Sequence, residues 1–379
     1  MPWSSLLSRQ CGNLVFYWYI CTETSILSLL HWLWLFAQTM MRDCGDVESM
    51  HFINGKYVIS IIMQQRKEIS ILLPVYNRVC VGMVARLKEL CDDVEGLRYE
   101  IIAADDGSAD RDAVAKNKAI CRMEGCRYVV RDTNSGAAAT RNFLTGISRY
   151  RWLLFVDCDM SVPDDWFIHR YLEAPEAGVV SGGMRTGGKA ADARRSLRCA
   201  YERRAQERHT AAERRRHPYQ AFRSVNFMAE RSVMESCPFD ERMRRYEDVM
   251  FGRRLEENGV TVCHIDNPLV MDDFESNTRF VEKTEKDMLT LREFYSDMKG
   301  YSRMIDITEA LSRRRMLWAV KAWHRLFGQA ERRLLIGKKA HLRIYDAYKL
   351  GFFATCGAGG ASVFAPCHGS AGGSVSDNE

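Results

Sequence analysis

The segment Trp152-Leu153-Leu154-Phe155-Val156-Asp157-Cys158-Asp159 decides how this chain is read. Five apolar residues in a row describe a strand covered on both faces, as in a parallel α/β sheet. The two-residue period sends the Asp157 and Asp159 side chains to the same side at the strand end. Ligands of open α/β folds dock at that carboxyl edge, and two converging carboxylates there suit a hard divalent cation. An isolated Asp-x-Asp is common by chance, so its meaning rests on what flanks it.

Upstream, the pattern from Glu68 to Asp157 alternates strand and helix. Strands are predicted at Ile69–Leu73, Tyr99–Ala104, Arg127–Arg131 and Trp152–Val156, with helical periodicity at Val84–Leu90, Ala113–Cys121 and Ala138–Ile147. Such alternation implies right-handed crossovers and a parallel sheet. Each strand exit carries polar residues: Pro74-Val75-Tyr76-Asn77, then Asp105-Asp106-Gly107-Ser108-Ala109-Asp110, then Asn134-Ser135-Gly136 with Arg141-Asn142, then the Asp157/Asp159 pair. Tyr76 could stack on a base, Asp105 or Asp106 accept a base N–H, and Arg141 pair with phosphate. Taken singly each has a plainer explanation, since Asp-Asp-Gly-Ser is a good turn and helix-cap sequence and Asn-Ser-Gly a loop. Four polar exits in this order favour a nucleotide site.

The run Ile69 to Asp159 resembles the nucleotide-sugar-binding half of family 2 glycosyltransferases of the GT-A fold. The likeness rests on Pro-x-Tyr-Asn, Asp-Asp-Gly-Ser, Asn-x-Gly…Arg-Asn and Asp-x-Asp. A second stretch is similar to the C-terminal half of galactosyltransferase-like and chondroitin-polymerase-like members: Asn226-Phe227-Met228, Pro238-Phe239-Asp240-Glu241-Arg242 and Tyr246-Glu247-Asp248-Val249-Met250-Phe251-Gly252. The resemblance implies an α/β fold with a Rossmann-like, mostly parallel sheet and helices on both faces, followed by a helical extension. It further implies that Mn²⁺ or Mg²⁺ bridges Asp157 and Asp159 to the diphosphate of a nucleotide sugar, a UDP-sugar being favoured, with Lewis-acid help to the leaving group. Donor contacts would come from Pro74, Tyr76, Asn77, Asp105, Asp106, Asn134, Gly136, Arg141 and Asp157.

Inverting transfer needs a general base for the acceptor hydroxyl. The resemblance selects Asp248, with Glu247 beside it, at the start of a predicted helix closed by Asn258-Gly259, where the helix dipole favours a carboxylate. Ordinary first-turn acids are the plainer alternative. His264, at the end of Val260-Thr261-Val262-Cys263, is a candidate third metal ligand or a structural strand-end histidine. Two departures stand out. Arg244-Arg245 precedes Tyr246 where the family commonly has glycine, and the Gln-x-x-Arg-Trp element of processive synthases is missing, which favours one or few sugar transfers.

The rest of the chain frames this unit. At 379 residues, 46% hydrophobic and 27% charged, it can bury a full core. The net charge of +5 is uneven, because Arg185 to Arg223 holds twelve Lys/Arg against four Asp/Glu. That run is expected to flank the acceptor and hold an anionic or lipid-phosphate-linked glycan, or to be a solvated face. Thirteen cysteines without metal-type spacing read as reduced thiols. Between Leu14 and Met41 the only charged residue is Glu23, giving either a marginal membrane anchor or a leader upstream of a start at Met63. Residues 313–353 mix tryptophans with Lys/Arg, which suits either an anionic lipid surface or packing on the catalytic domain. The domains expected are an extension at 1–66, a transferase domain at 67–275 with donor half 67–160 and acceptor half 161–275, helices at 276–356 and a Gly/Ala/Ser tail at 357–379. The combined reading is an enzyme of surface or envelope glycan synthesis acting on a saccharide or lipid-linked glycan, either cytoplasmic or peripheral on the inner face of the cytoplasmic membrane. No nucleic-acid partner is expected. The rival class is a non-enzymatic basic protein binding nucleic acid or membrane.

Overall fold

Alternating apolar side chains along each predicted strand give the sheet two dry faces, and the helices between the strands cover them. The computed structural model describes residues 51–53, 56–58, 66–187, 195–206, 209–339 and 341–356. It divides into two compact units, Met1–Gln65 and Arg66–Glu379. In the first, β1 (His51–Ile53) pairs antiparallel with β2 (Lys56–Val58). The apolar segment 14–41 and the tail 357–379 lie outside the described residues.

The second unit begins with β3 (Glu68–Val75), α1 (Val81–Asp92), β4 (Arg98–Asp105), α2 (Arg111–Asn117), β5 (Cys126–Val130), α3 (Ala137–Ile147) and β6 (Trp152–Val156). The helix expected at Ala113–Cys121 is shorter than its periodicity suggests, and a 3₁₀ turn follows at Lys118–Arg122. Asn117, wholly buried, spends its amide on the Arg78 carbonyl and the Cys80 N–H, where a longer α-helix would continue. Next come α4 (Phe167–Leu172), β7 (Val179–Ser181), β8 (Met184–Thr186), α5 (Leu197–Gln206), α6 (Ala211–Arg216), β9 (Asn226–Glu230), α7 (Arg231–Ser236), α8 (Glu247–Glu257), β10 (Val262–His264) and β11 (Leu269–Met271). Four helices close the described residues: α9 (Asn277–Glu293), α10 (Arg303–Arg313), α11 (Leu317–Leu335) and α12 (Leu342–Thr355).

The main sheet has seven strands in the order β10-β7-β9-β6-β3-β4-β5. All its pairs are parallel except those of β9, which runs antiparallel to both β6 and β7. A second, two-stranded sheet pairs β8 with β11. Ile69, Ile71 and Leu73 meet α1 and α4 on one face, while Leu72, Leu153 and Phe155 meet α3, α7 and α8 on the other. A third cluster joins the C-terminal helices to Leu197, Met243 and Met250. α8 therefore serves two cores, with Phe251 and Leu255 on the sheet and Met250 on the helical layer. Phe239 and Phe251 stack at 4.3 Å beneath it. Burying an aromatic side chain of this kind contributes about 1.5–3 kcal/mol, so the first turn of α8 sits on a firm base.

The β4 exit depends on one glycine. Gly107 has φ +67°, and a Cβ there would lie 2.6 Å from the backbone carbon of Thr133. Gly107→Ala should lower stability by about 1–3 kcal/mol through backbone strain and the clash, seen as a lower midpoint in urea. An unchanged midpoint would show that the two exit loops are not packed this way.

Candidate active site

The parallel strands β6, β3, β4 and β5 deliver their polar exits to one edge of the sheet. Pro74 lies within β3 opposite Ala104, and Tyr76 just beyond it is 46% exposed, an aromatic face open to a ligand. Asn77 takes a left-handed conformation, receives the Asp110 N–H on Oδ1 at 3.0 Å and donates its own N–H to Ser108 Oγ at 2.7 Å. The first two exits are thus laced together.

Asp105 and Asp106 are placed differently from the expectation that one of them meets a nucleobase. Asp105 is wholly buried and accepts from the Ser108 N–H at 2.7 Å and the Tyr128 hydroxyl at 2.6 Å. Asp106, 4% exposed, accepts from Arg131 and from the N–H groups of Ser135 and Gly136. Both carboxylates hold the exit loops, because buried acceptors need partners and these loops offer backbone donors. Gly136 is left-handed, and Asn134 is clamped from above, its Oδ1 and carbonyl accepting from Arg244 at 2.9 and 3.2 Å. Arg244, which stands near the expected glycine, is a member of the site that the motif reading recorded only as a departure.

Arg141 also corrects its expected role as a phosphate ligand. It is 3% exposed and lies between two carboxylates, donating to Asp157 Oδ1 at 2.9 Å and Glu247 Oε1 at 3.2 Å. Its guanidinium faces the Phe239 ring, and the neighbouring Asn142 pairs with the Phe239 backbone in both directions. Burial opposes the Arg141 charge, but Asp157 and Glu247 outweigh it and keep the group protonated. The end of β6 and the start of α8 are thereby tied through α3.

Glu247 and Asp248 begin α8 after Tyr246, a bulky residue at φ +61°. That left-handed turn is one glycine adopts freely; here the half-buried Tyr246 ring packs against the helical core instead. Desolvation raises the Glu247 pKa, Asp248 pushes the same way, and Arg141 pulls it back. Asp248 is partly accessible and accepts the Val249 N–H at 2.9 Å.

Asp157 is pushed up to about 7 by burial, with Arg141 opposing and Asp159 reinforcing the rise. Asp159 is exposed. Two hard oxygen donors fit Mg²⁺ or Mn²⁺, which commonly take one or two carboxylates and leave other positions to substrate phosphates. No group of three His, Cys, Asp or Glu that could hold a metal occurs among the described residues. His264 does not complete it. The residue is wholly buried, with Nδ1 accepting from Arg214 Nε at 3.1 Å and Nε2 2.8 Å from the Pro218 carbonyl. Both ring nitrogens serve the protein, so the expected ligand is a structural histidine.

Within the basic run, Arg214 turns inward. Arg214 is 4% exposed and also donates to the Gly182 and Ile265 carbonyls. Arg215 donates to the His264 carbonyl, Arg204 pairs with Asp346, and Arg198 with Glu202. These contacts take Arg214 out of the expected acceptor-holding set, while Arg215 and Arg216 stay exposed, Arg216 pairing with Glu213.

Residues 70–235 match the model of Glycosyl transferase family 2. They form a family 2 glycosyltransferase domain. The domain is 29% identical over 107 residues to a chondroitin synthase of Escherichia coli, covering 28% of this chain and 15% of that protein. It is 30% identical over 100 residues to an uncharacterized glycosyltransferase of Haemophilus influenzae, covering 26% of this chain and 38% of the relative. The chain thus matches well under half the length of either. In fold, it resembles the mannosyltransferase PcManGT from Pyrobaculum calidifontis, solved in complex with GDP-Man and Mn²⁺, with TM-score 0.50, 14% identity and coverage of 86% and 95% of the two chains. The GT-A architecture expected for a family 2 glycosyltransferase is therefore present.

Two outcomes test this geometry. Arg141→Met should leave Asp157 and Glu247 buried without their cation and destabilise the domain by about 3–5 kcal/mol; an unchanged melting temperature would contradict the bridge. Burial, with Arg214 and Arg215 nearby, depresses His264 to about 4. The folded state therefore binds fewer protons than the unfolded chain between that value and about 6.5. Its stabilising contribution should be complete above about pH 6.5 and fall away toward pH 4. His264→Gln should flatten that part of the melting-temperature profile, and an equally steep profile would oppose the assignment.

Proposed function

We propose that the protein is an inverting, metal-dependent glycosyltransferase that moves a sugar from a nucleoside-diphosphate sugar to a hydroxyl acceptor. The observation that carries this reading is the Arg141 bridge, which brings the Asp157/Asp159 pair and the Glu247/Asp248 pair to one end of the sheet. Residues 67–160 bind the donor in this reading, and residues 161–275 shape the acceptor side. Tyr76 stacks on the base, and Asn77, Asn134 and Gly136 form the exit-loop wall beside it. Asp157 and Asp159 hold Mn²⁺ or Mg²⁺, which when bound neutralises the diphosphate and improves it as a leaving group.

Asp248 takes the proton of the acceptor hydroxyl as its oxygen bonds to the anomeric carbon, and the bond from that carbon to the diphosphate oxygen breaks with its electron pair. Glu247, already paired with Arg141, orients the acceptor. A single displacement inverts the anomeric centre. The family match and the fold shared with a mannosyltransferase described with GDP-Man and Mn²⁺ support this donor class; a UDP-sugar is the favoured donor here. The acceptor is a saccharide or lipid-linked glycan in surface or envelope glycan synthesis on the cytoplasmic side, extended by one or few sugars.

Two variants separate the roles. Asp159→Ala should lose metal-dependent binding of nucleoside diphosphate, measured by calorimetry with and without Mn²⁺; retained metal dependence would remove the metal assignment. Asp248→Asn should keep donor affinity while kcat falls about 10²–10⁴-fold. Full turnover by Asp248→Asn with a dead Glu247→Gln would move the base by one residue, and full turnover by both would sink the mechanism.

A further inference from the structure

α11 is built inside out. Its buried face consists of His324, Gly328, Glu331 and Leu335, so the side turned to the protein is mostly small or polar. Gly351 permits the close packing of α12 on α11, because a Cβ there would lie 2.7 Å from His324 atoms, and Gly328 leaves room for the same ring within α11. The large apolar side chains lie on a different face. Trp323, Leu326 and Leu334 follow the three- and four-residue spacing of one helical row with Ala319 and Ala330, and Phe327 stands beside it. All four large side chains are exposed, Leu326 at 76%, and Trp318 at the head of the helix reaches 72%. Core packing, one of the two explanations open from sequence, therefore does not account for these residues.

The charges beside this row have one sign. Between Arg313 and Lys339 there are nine Lys/Arg and a single acid, Glu331. Glu331 is buried and accepts the Trp323 Nε1–H at 2.8 Å. Arg313 and Arg332 pair with Glu309 and Glu285. Lys321, Arg325 and Arg333 on the helix, and Arg314, Arg315 and Lys338 at its ends, make no ion pair among the described residues. An apolar row edged by unpaired cations is the pattern of a helix lying in a membrane interface. Tryptophans favour the headgroup level, and each cation near an anionic surface adds to the attraction. A symmetric pairing of two copies through this row would instead bring two strongly basic edges together.

We infer that the outer face of α11 docks on an anionic lipid surface, with Trp318, Leu326, Phe327 and Leu334 entering the headgroup boundary and Lys321, Arg325 and Arg333 meeting lipid phosphates. No helix among the described residues is long and apolar enough to cross a membrane, and α11 in this role lies along the surface. The inference is independent of the catalytic reading, because binding is measured without donor or acceptor.

The test is flotation of the full chain with vesicles of phosphatidylcholine alone or mixed with phosphatidylglycerol. The wild type should float with the mixed vesicles and not with phosphatidylcholine alone, and salt should weaken the binding. Leu326→Gln with Leu334→Gln should lower the partition coefficient about tenfold or more, and so should Arg325→Glu with Arg333→Glu. These positions are exposed, so unchanged melting would confirm that folding is intact. No flotation by the wild type, or undiminished flotation by both pairs, overturns the inference. So does a wild-type dimer that Leu326→Gln with Leu334→Gln converts to monomer without altering flotation, which would assign the face to a second copy. Tight binding of single-stranded RNA, lost in these variants while flotation persists, would assign it to nucleic acid.

Discussion

A buried guanidinium between two carboxylates is the constraint on which the site depends. Arg141 sits on α3, Asp157 at the end of β6 and Glu247 at the start of α8, 106 residues from Arg141 in the chain. Removing these charges from water is expensive, and the cost is met only when all three sit together with their hydrogen bonds made. Each helix and strand that carries one of them is therefore held to a narrow position. Burial raises the pKa values of Asp157 and Glu247, and the Arg141 contacts pull both back down.

Around that bridge, the loops are held by groups whose chemistry resembles that of ligand-binding residues. Asp105, Asp106, Arg214 and His264 are all nearly or wholly buried, and all spend their polar atoms on the protein. Their work is to give irregular chain at the sheet edge a fixed shape, since loops lack the repeating hydrogen bonds of helices and strands. What faces outward is a smaller set: the Tyr76 ring, Asp159 and the accessible side of Asp248. Arg244, reaching across to Asn134, joins the turn before α8 to the β5 exit.

α8 shows how the two halves of the fold share load. Its middle buries Phe251 and Leu255 on the sheet while Met250 and the Tyr246 ring belong to the C-terminal helical layer. The four closing helices thus support the turn that presents Glu247 and Asp248. Within that layer α11 departs from the usual arrangement, its one glycine and its buried histidine turned inward and Trp318, Trp323, Leu326 and Leu334 outward.

Local sequence was sufficient for the parallel sheet. The apolar runs at Ile69–Leu73 and Trp152–Val156, the polar exits after them and the Asn258-Gly259 stop all depend on neighbours within a few residues, where periodicity and turn chemistry act. The antiparallel course of β9, the early end of α2 at Asn117, the inward turn of Arg214 and His264 and the double pairing of Arg141 depend on residues from 16 to 106 positions away. No local pattern records which partner a buried charge will find. A carboxylate or imidazole has the same sequence signature whether it meets a ligand or a backbone amide, and only the packed tertiary structure decides between them, because only there is water excluded from one and left at the other.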